Sequence, residues 1–268
     1  MTESDDVAFR LSPRRRVEPK EAGAATLARG LLLLETFQQA LRPMTHGELA
    51  ELSGLTGPTV TRLASALETL GYLRRRSDRR WELTPDVLSL GYPKLVGSRL
   101  RRLAHPYLLE IARQGDLTLA IAEPSDIAMV YIESCSVSTG NALRLDVGAR
   151  LDMAKSATGQ TYLATVDDDQ RAELFKLLKA RHKKAWPKLS GLVDKARAEL
   201  DARGFIYSDG QWRPDTRAVA SPLVTEGGSQ VYVLNCAAPR FAVSEARMIE
   251  ELGPRIVGLC RHLRDLLG

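Results

Sequence analysis

Two short stretches of the chain set out residues in patterns that could do chemistry. In "TGPTVTRLAS", residues 56–65, hydroxyls and one arginine are interleaved with apolar residues at helical spacing. On a helix from Gly57 to about Leu70, the residues Val60, Leu63, Leu67 and Leu70 share one face. Thr59, Thr61, Arg62 and Ser65 lie elsewhere around it. Threonines of this kind can touch base edges or phosphates, and an arginine can take a guanine or a phosphate. Just downstream, "RRRSDRR" carries five arginines, Arg74, Arg75, Arg76, Arg79 and Arg80, which suit phosphate contacts. The second stretch is Ser156-Ala157-Thr158-Gly159 at the start of an apolar helical pattern. Free N–H groups at a helix N-terminus, with little side-chain bulk around them, can hold a carboxylate. Ser156 or Thr158 would equally serve as an ordinary cap.

Other chemistries are poorly provided for. Cys135, Cys236 and Cys260 form no C-x-x-C pair, and an odd number argues against a full disulfide framework. His46, His105, His182 and His262 fall in different segments, none at zinc-ligand spacing from another. No metal site and no cofactor are expected. Cys236 reads as a small buried hydrophobe.

The elements that must position the first stretch follow from caps and stops. "TLARGLLLLETFQQAL" (26–41) is a helix ended by Pro43. In "THGELAELSG" Thr45 is an N-cap, Glu48 completes a capping box and Gly54 ends the helix. Thr56 caps the next helix. Pro58 falls in its first turn, where N–H groups have no helical acceptor, so proline forfeits nothing. "YLRRR" and "RWELT" are short strands around a hairpin tip at "SDRR". Helix, helix, turn, helix, β-hairpin is a winged helix-turn-helix. Thr45, Thr56, Gly57, Thr59, Thr61, Arg62 and Ser65 are its DNA-contact candidates. So are Arg74, Arg76, Arg79 and Arg80 of the wing, where Arg74 and Arg76 share one strand face.

Residues 85–115 form a connector with a short helix, a break near Pro93 and a second helix over about 98–114. Beyond it, "LTLAIAE", "IAMVYIESC", "ALRLDVG", "FIYSD", "RAVASPLVTEG" and "SQVYVLNCAA" are predicted strands, with "EGGS" a hairpin turn. Helices are predicted from "SATGQTYLATV", "DDQRAELFKLLKAR", "LSGLVDKARAELDARG" and the closing "SEARMIEELGPRIVGLCRHLRDLLG", the last with a kink at Gly253-Pro254. The class is α+β, a mainly antiparallel sheet flanked by helices. The division is 1–24 disordered tail, 25–84 DNA-binding domain, 85–115 linker helices and 116–268 effector-binding and oligomerisation domain.

The order of these segments, with their wording, resembles the IclR family of bacterial transcription regulators over about 25–268. The resemblance rests on "LARGLLLLETF", "LAELSGLTGPTVTRLASALETLGYL" and "WELTPDVLSLGY" in front. Behind, it rests on "VGARLDMAKSATGQTYLAT", "ARGFIYSDGQWRPDTRAVASPL" and "VYVLNCAAPR". "ELTPDVLSLGY" looks most like the subgroup that governs aromatic-acid catabolism. The resemblance implies a winged-helix domain, a linker helix, a GAF-like effector domain, and dimers often paired into tetramers. It places an effector pocket at Ser156, Ala157, Thr158 and Gly159, approached by Asp209, Gln211, Asn235 and Ala237. Met129 or Tyr131 would wall it, with Val219 and Ser221 as further candidates. The chain departs from the family at Gly57 and Thr61, usually basic or polar, and at Gln211 and Asp215, usually an acid and a glycine.

Composition agrees with a DNA-binding front. The net charge of +5 is concentrated in arginines at 14–16, 74–80 and 99–102, while Asp167-Asp168-Asp169 and other later acids balance the rest. No apolar run is long enough for a membrane span, and the N-terminus lacks an apolar signal-peptide core. The expectation is therefore a cytoplasmic regulator, not an enzyme, partnered by double-stranded operator DNA and a small organic acid. Two other classes stay open: an enzyme acting on a small carboxylic acid with an accessory DNA-binding module, and a ligand-independent winged-helix repressor.

Overall fold

The computed structural model describes residues 21–137, 145–225, 228 and 230–268. The chain divides into two compact units, the first ending at Gly97 and the second running from Ser98 to Gly268.

In the first unit, helices α1 (Ala22–Ala40), α2 (His46–Ser53) and α3 (Gly57–Thr69) precede a two-stranded antiparallel ribbon, β1 (Leu73–Arg75) and β2 (Trp81–Leu83). Residues 22–24, read as tail from the sequence, already belong to α1. Leu33, Phe37, Met44, Leu49, Val60, Leu63, Leu67, Leu73 and Trp81 pack into one core. Leu70 does not join it: it caps α3 and is 66% exposed. The capping box is present, with Glu48 N–H donating to Thr45 Oγ1 and Thr45 N–H to Glu48 Oε2 at 2.7 Å. Arg42 donates to the other carboxylate oxygen at 2.6 Å. Arg42 and then the Thr45 N–H hold the Glu48 carboxyl at about 2. A folded-state pKa depressed in this way contributes stability above the unfolded value, near 4.3, that is lost as pH falls toward 2. Acid unfolding of the first unit should therefore be steeper between pH 4.5 and 2 than in Glu48→Gln, which keeps the cap but not the charge. Superimposable acid limbs in circular dichroism would remove that role.

Pro93 does not break the connector. It lies inside α4 (Asp86–Gly97), and the interruption falls at Ser98, whose Oγ accepts the Arg101 N–H at 3.3 Å and caps α5 (Arg99–Ala112). A cap one turn later decides the boundary, and a proline inside a helix is tolerated where nothing packs against the distorted turn: α4 buries no residue.

The second unit is built on one six-stranded antiparallel sheet in the order β5-β4-β3-β8-β7-β6. The strands are β3 (Thr118–Ser125), β4 (Ala128–Ser136), β5 (Arg150–Asp152), β6 (Ile206–Asp209), β7 (Thr216–Val224) and β8 (Val231–Pro239). The third predicted strand is displaced. Residues 138–144 lie outside the described residues, Leu145–Gly148 are not strand, and β5 begins at Arg150. The "EGGS" turn also falls largely outside the described residues.

Helix α5 and the closing helix cover one face of the sheet. The closing helix is a π-helical turn, Arg247–Leu252, running into α9 (Gly253–Leu267). Its irregularity thus precedes Gly253-Pro254. A Cβ at Gly253 would overlap the Phe205 ring, which explains the glycine there. The other face is covered by α6 (Ala157–Thr165), with α7 (Asp168–His182) and α8 (Trp186–Arg203) outside it. Residues alternate between the faces. Leu234, Cys236 and Ala238 of β8 enter the α5/α9 core, so Asn235 and Ala237 face α6.

Candidate nucleic-acid interface and ligand pocket

On α3, Thr61, Arg62 and Ser65 are exposed, while Gly57 and Thr59 are half-buried. Pro58 lies in the first turn, and the turn from α2 is made by Gly54 at φ 65°. Thr56 stands at the N-cap position, but its hydroxyl bonds to Thr59 Oγ1 at 2.8 Å rather than to the backbone. Thr61 Oγ1 is held 2.8 Å from His46 Nε2 and donates to the Gly57 carbonyl. His46 therefore orients a candidate contact residue, a role with no sequence signal beyond its position on the preceding helix. Arg62 and Ser65 are exposed. Thr45 is committed to its cap.

The wing differs more from expectation. Arg74 Nε lies 2.5 Å from Glu82 Oε1, and Arg76 Nη1 lies 3.1 Å from Glu82 Oε2. Arg74 first, then Arg76, keep the Glu82 carboxyl below its ordinary range. Arg76 and Arg80 also flank Asp78, at 3.6 and 4.0 Å, and Arg75 lies over the Trp81 ring. Four of the five wing arginines thus have partners within the hairpin. Arg79 occupies the tip at φ 64°, the left-handed position that glycine normally fills in a three-residue hairpin loop. Among the described residues its guanidinium has no partner. Glu82→Gln should release Arg74 and Arg76 and steepen the salt dependence of DNA binding by up to about two phosphate equivalents. A slope equal to that of the parent would show that these arginines already lie on phosphate.

In the second unit, a cavity of about 350 Å³, including its open mouth, lies at the N-terminus of α6. Most of that space is open solvent, and the enclosed part is near the size of one water molecule. Ser156, Ala157 and Thr158 form one wall, Tyr131, Asn235 and Ala237 the sheet side, and Trp212 and Arg213 stand on the loop before β7. Ser156 Oγ accepts the Gly159 N–H at 3.1 Å, capping α6. The Ala157 and Thr158 N–H groups belong to the same first turn and have no acceptor within the helix. The Tyr131 hydroxyl accepts from Asn235 Nδ2 at 2.9 Å and also bonds to Thr158. Burial pushes its pKa well up, so it stays protonated. Asn235 Oδ1 is buried without a donor among the described residues. Arg213 is forked onto Asp215, with contacts of 3.1 and 2.8 Å.

Six of the twelve predicted pocket residues do not line this cavity. Val219 and Ser221 face α9, with Ser221 Oγ donating to the Gly204 carbonyl. Asp209 lies on that face too, 2.8 Å from Arg240 and 3.5 Å from Arg217. The strand pleat puts each one residue out of register; Ser208, Thr216 and Ala218 line the cavity in their place. Gln211 is exposed, Met129 is buried outside the lining, and Gly159 serves packing: a Cβ there would overlap the Met153 backbone. Leu151, Trp212 and Arg213 were not foreseen.

The sequence model of the IclR helix-turn-helix domain matches residues 26–77, and that of the bacterial transcriptional regulator IclR C-terminal domain matches residues 94–261. The HTH-type transcriptional regulator TsaQ1/TsaQ2 of Comamonas testosteroni is 26% identical over 242 residues, 89% of this chain and 87% of its own length. The crystal structure of an IclR family transcriptional regulator from Brucella abortus superposes with a TM-score of 0.78 at 29% identity, covering 94% of this chain and 96% of the other. An IclR homologue from Microbacterium hydrocarbonoxydans, solved in complex with 4-hydroxybenzoate, shares the fold with a TM-score of 0.69 at 20% identity, over 90% of this chain and 98% of the other.

Proposed function

Since the chain belongs to the IclR family of bacterial transcriptional regulators, we propose that its second unit takes a single-ring aromatic carboxylic acid as effector. The chain is a DNA-binding transcriptional regulator with a C-terminal effector domain, and its relatives are regulators rather than enzymes. The observation that carries the effector proposal is the small cavity that opens on the first turn of α6 and is flanked by Arg213. Backbone N–H groups and a guanidinium both favour a carboxylate, and the apolar walls Leu151, Ala157, Trp212, Ala218 and Ala237 suit a ring. A ring hydroxyl would give Asn235 Oδ1 the donor it lacks. The 4-hydroxybenzoate bound by the Microbacterium homologue is an acid of this shape.

The front unit would place the N-terminal part of α3 in the major groove of operator DNA, with Thr59, Thr61, Arg62 and Ser65 facing bases or phosphates and Arg79 on the backbone. Homodimerisation is proposed through α4. Leu88, Tyr92 and Val96 recur at four-residue spacing on that helix, are 76%, 64% and 50% exposed, and α4 buries nothing of its own. Among the described residues, no helix is long and apolar enough to cross a membrane, and the site of action proposed is the cytoplasm. Effector binding must favour one arrangement of the dimer over another to alter operator affinity. The test is calorimetric titration of the full chain with benzoate, 4-hydroxybenzoate and short aliphatic acids, followed by operator-binding assays with each ligand. A ring acid that binds and moves operator affinity supports the proposal. Binding by aliphatic acids alone, or by none, rejects it.

A further inference from the structure

We propose that His105, Glu133 and Cys135 form a binding site for a divalent ion of the zinc class, on the opposite face of the sheet from the effector cavity. Glu133 and Cys135 are two residues apart on β4 and so project from the same face of that strand, toward α5, which carries His105. His105 Nδ1 lies 3.5 Å from Glu133 Oε1 and 3.6 Å from Cys135 Sγ. All three potential ligand atoms lie within 4.8 Å of one another. A tetrahedral zinc ion with bonds of about 2.0–2.1 Å to nitrogen and oxygen and 2.3 Å to sulfur separates its ligand atoms by roughly 3.4–3.6 Å. Two of the three edges already have that length, and a small rotation of the Glu133 carboxylate closes the third.

The surroundings are those of a built site. Glu133 and Cys135 are buried, while His105 is 54% exposed at the rim, leaving a fourth position open toward solvent. Arg101 Nε lies 3.0 Å from Glu133 Oε2, which fixes the carboxylate and turns Oε1 toward His105. The Arg101 pair and the Ser134 N–H, which donates to Glu133 Oε1 at 3.0 Å, explain the buried carboxylate by themselves; they do not explain an imidazole set between that oxygen and a thiol. A dication would offset the charges of Glu133 and a Cys135 thiolate. Without an ion, burial and then Glu133 push the Cys135 thiol up to about 11, so it is no free nucleophile. Coordination would release that proton and clamp α5 to β4, two residues from Tyr131 of the effector cavity.

The test is a cobalt(II) titration of the full, chelator-treated chain. The expected result is one cobalt per chain, with a thiolate-to-cobalt charge-transfer band and the intense visible bands of a tetrahedral site. Cys135→Ser should lose the charge-transfer band. His105→Ala, a change at an exposed residue that leaves the fold intact, should weaken binding on the order of tenfold or more. Zinc should raise the melting temperature of the parent but not of Cys135→Ser. No charge-transfer band with cobalt in excess, or a band that survives in Cys135→Ser, overturns the proposal.

Discussion

Gly159→Ala is expected to destabilise the second unit by about 3 kcal/mol and to weaken effector binding with it. A Cβ at position 159 would overlap the carbonyl oxygen, Cα and carbonyl carbon of Met153. All three are backbone atoms, so no rotamer change relieves the clash. Nor can the Met153 turn move away cheaply. Asp152 Oδ1 accepts from the Ala154 and Lys155 N–H groups at 3.0 and 3.2 Å. The Asp152 carbonyl accepts from Ser156 Oγ at 2.8 Å, and Gln160 Nε2 donates to the Ala154 carbonyl at 3.2 Å. Helix α6 itself must shift, and its first turn is a wall of the cavity. Overpacking against fixed atoms costs roughly 1–3 kcal/mol and sometimes more, and backbone contacts belong at the upper end. Gly191→Ala is the internal control. It lies within α8 with nothing inside 4 Å of its Cβ, so the substitution should stabilise by up to about 1 kcal/mol through helix propensity. Urea unfolding of both variants decides the matter. A Gly159→Ala protein within about 0.5 kcal/mol of the parent would mean that α6 does not sit as closely on Met153 as described.

That contrast between two helical glycines shows what the sequence can carry and what it cannot. Both glycines sit in helical patterns, and only the tertiary contact separates them. Local signals were legible in the helix-turn-helix, though Thr56 makes no side-chain cap and Pro93 no break. Thr45 with Glu48 announces a capping box, Pro58 a first turn, Gly54 a stop, and each is found in place. The winged-helix order follows from those signals alone. Facing in the sheet was not legible. "RAVASPL" and "VYVLNCAA" are buried on both sides, so they lack the polar alternation that would say which residue looks toward α6. The one-residue slip at Asp209, Val219 and Ser221 follows from that. Trp212 and Arg213 were missed for a different reason. They stand on an irregular loop, whose path over the cavity depends on tertiary contacts and on no period in the chain. The His105, Glu133 and Cys135 cluster is likewise invisible to spacing rules, because the pairing of α5 with β4 brings together residues far apart in sequence. The wing was legible as charge but not as pairing: nothing in "RRRSDRR" says that Glu82, across the ribbon, takes Arg74 and Arg76.

Arg62→Ala is expected to lower affinity for the operator by about 10- to 100-fold, the 1–3 kcal/mol that a well-placed arginine contact carries. The expectation rests on scarcity. From Gly57 to Leu67, Arg62 is the one charged side chain on α3, it is exposed, and it has no partner among the described residues. The wing cannot easily substitute for it, because Arg74, Arg75, Arg76 and Arg80 are engaged within the hairpin. Arg79 is the wing residue left to meet phosphate, and its left-handed backbone presents it at the tip. The two arginines should therefore separate in a salt titration. Arg79→Ala should weaken binding to operator and to unrelated DNA alike, and reduce the salt slope by about 1. Arg62→Ala should weaken operator binding more than non-specific binding, with little change in slope, if its guanidinium meets a guanine edge. A slope also smaller by about 1, with specificity retained, would move Arg62 onto the backbone instead and leave base reading to Thr59, Thr61 and DNA shape. Operator affinity unchanged by Arg62→Ala would remove α3 as the reading helix altogether. Among the described residues of the first unit, no other element offers an exposed hydroxyl-and-arginine face on a rigid helix preceded by a tight turn.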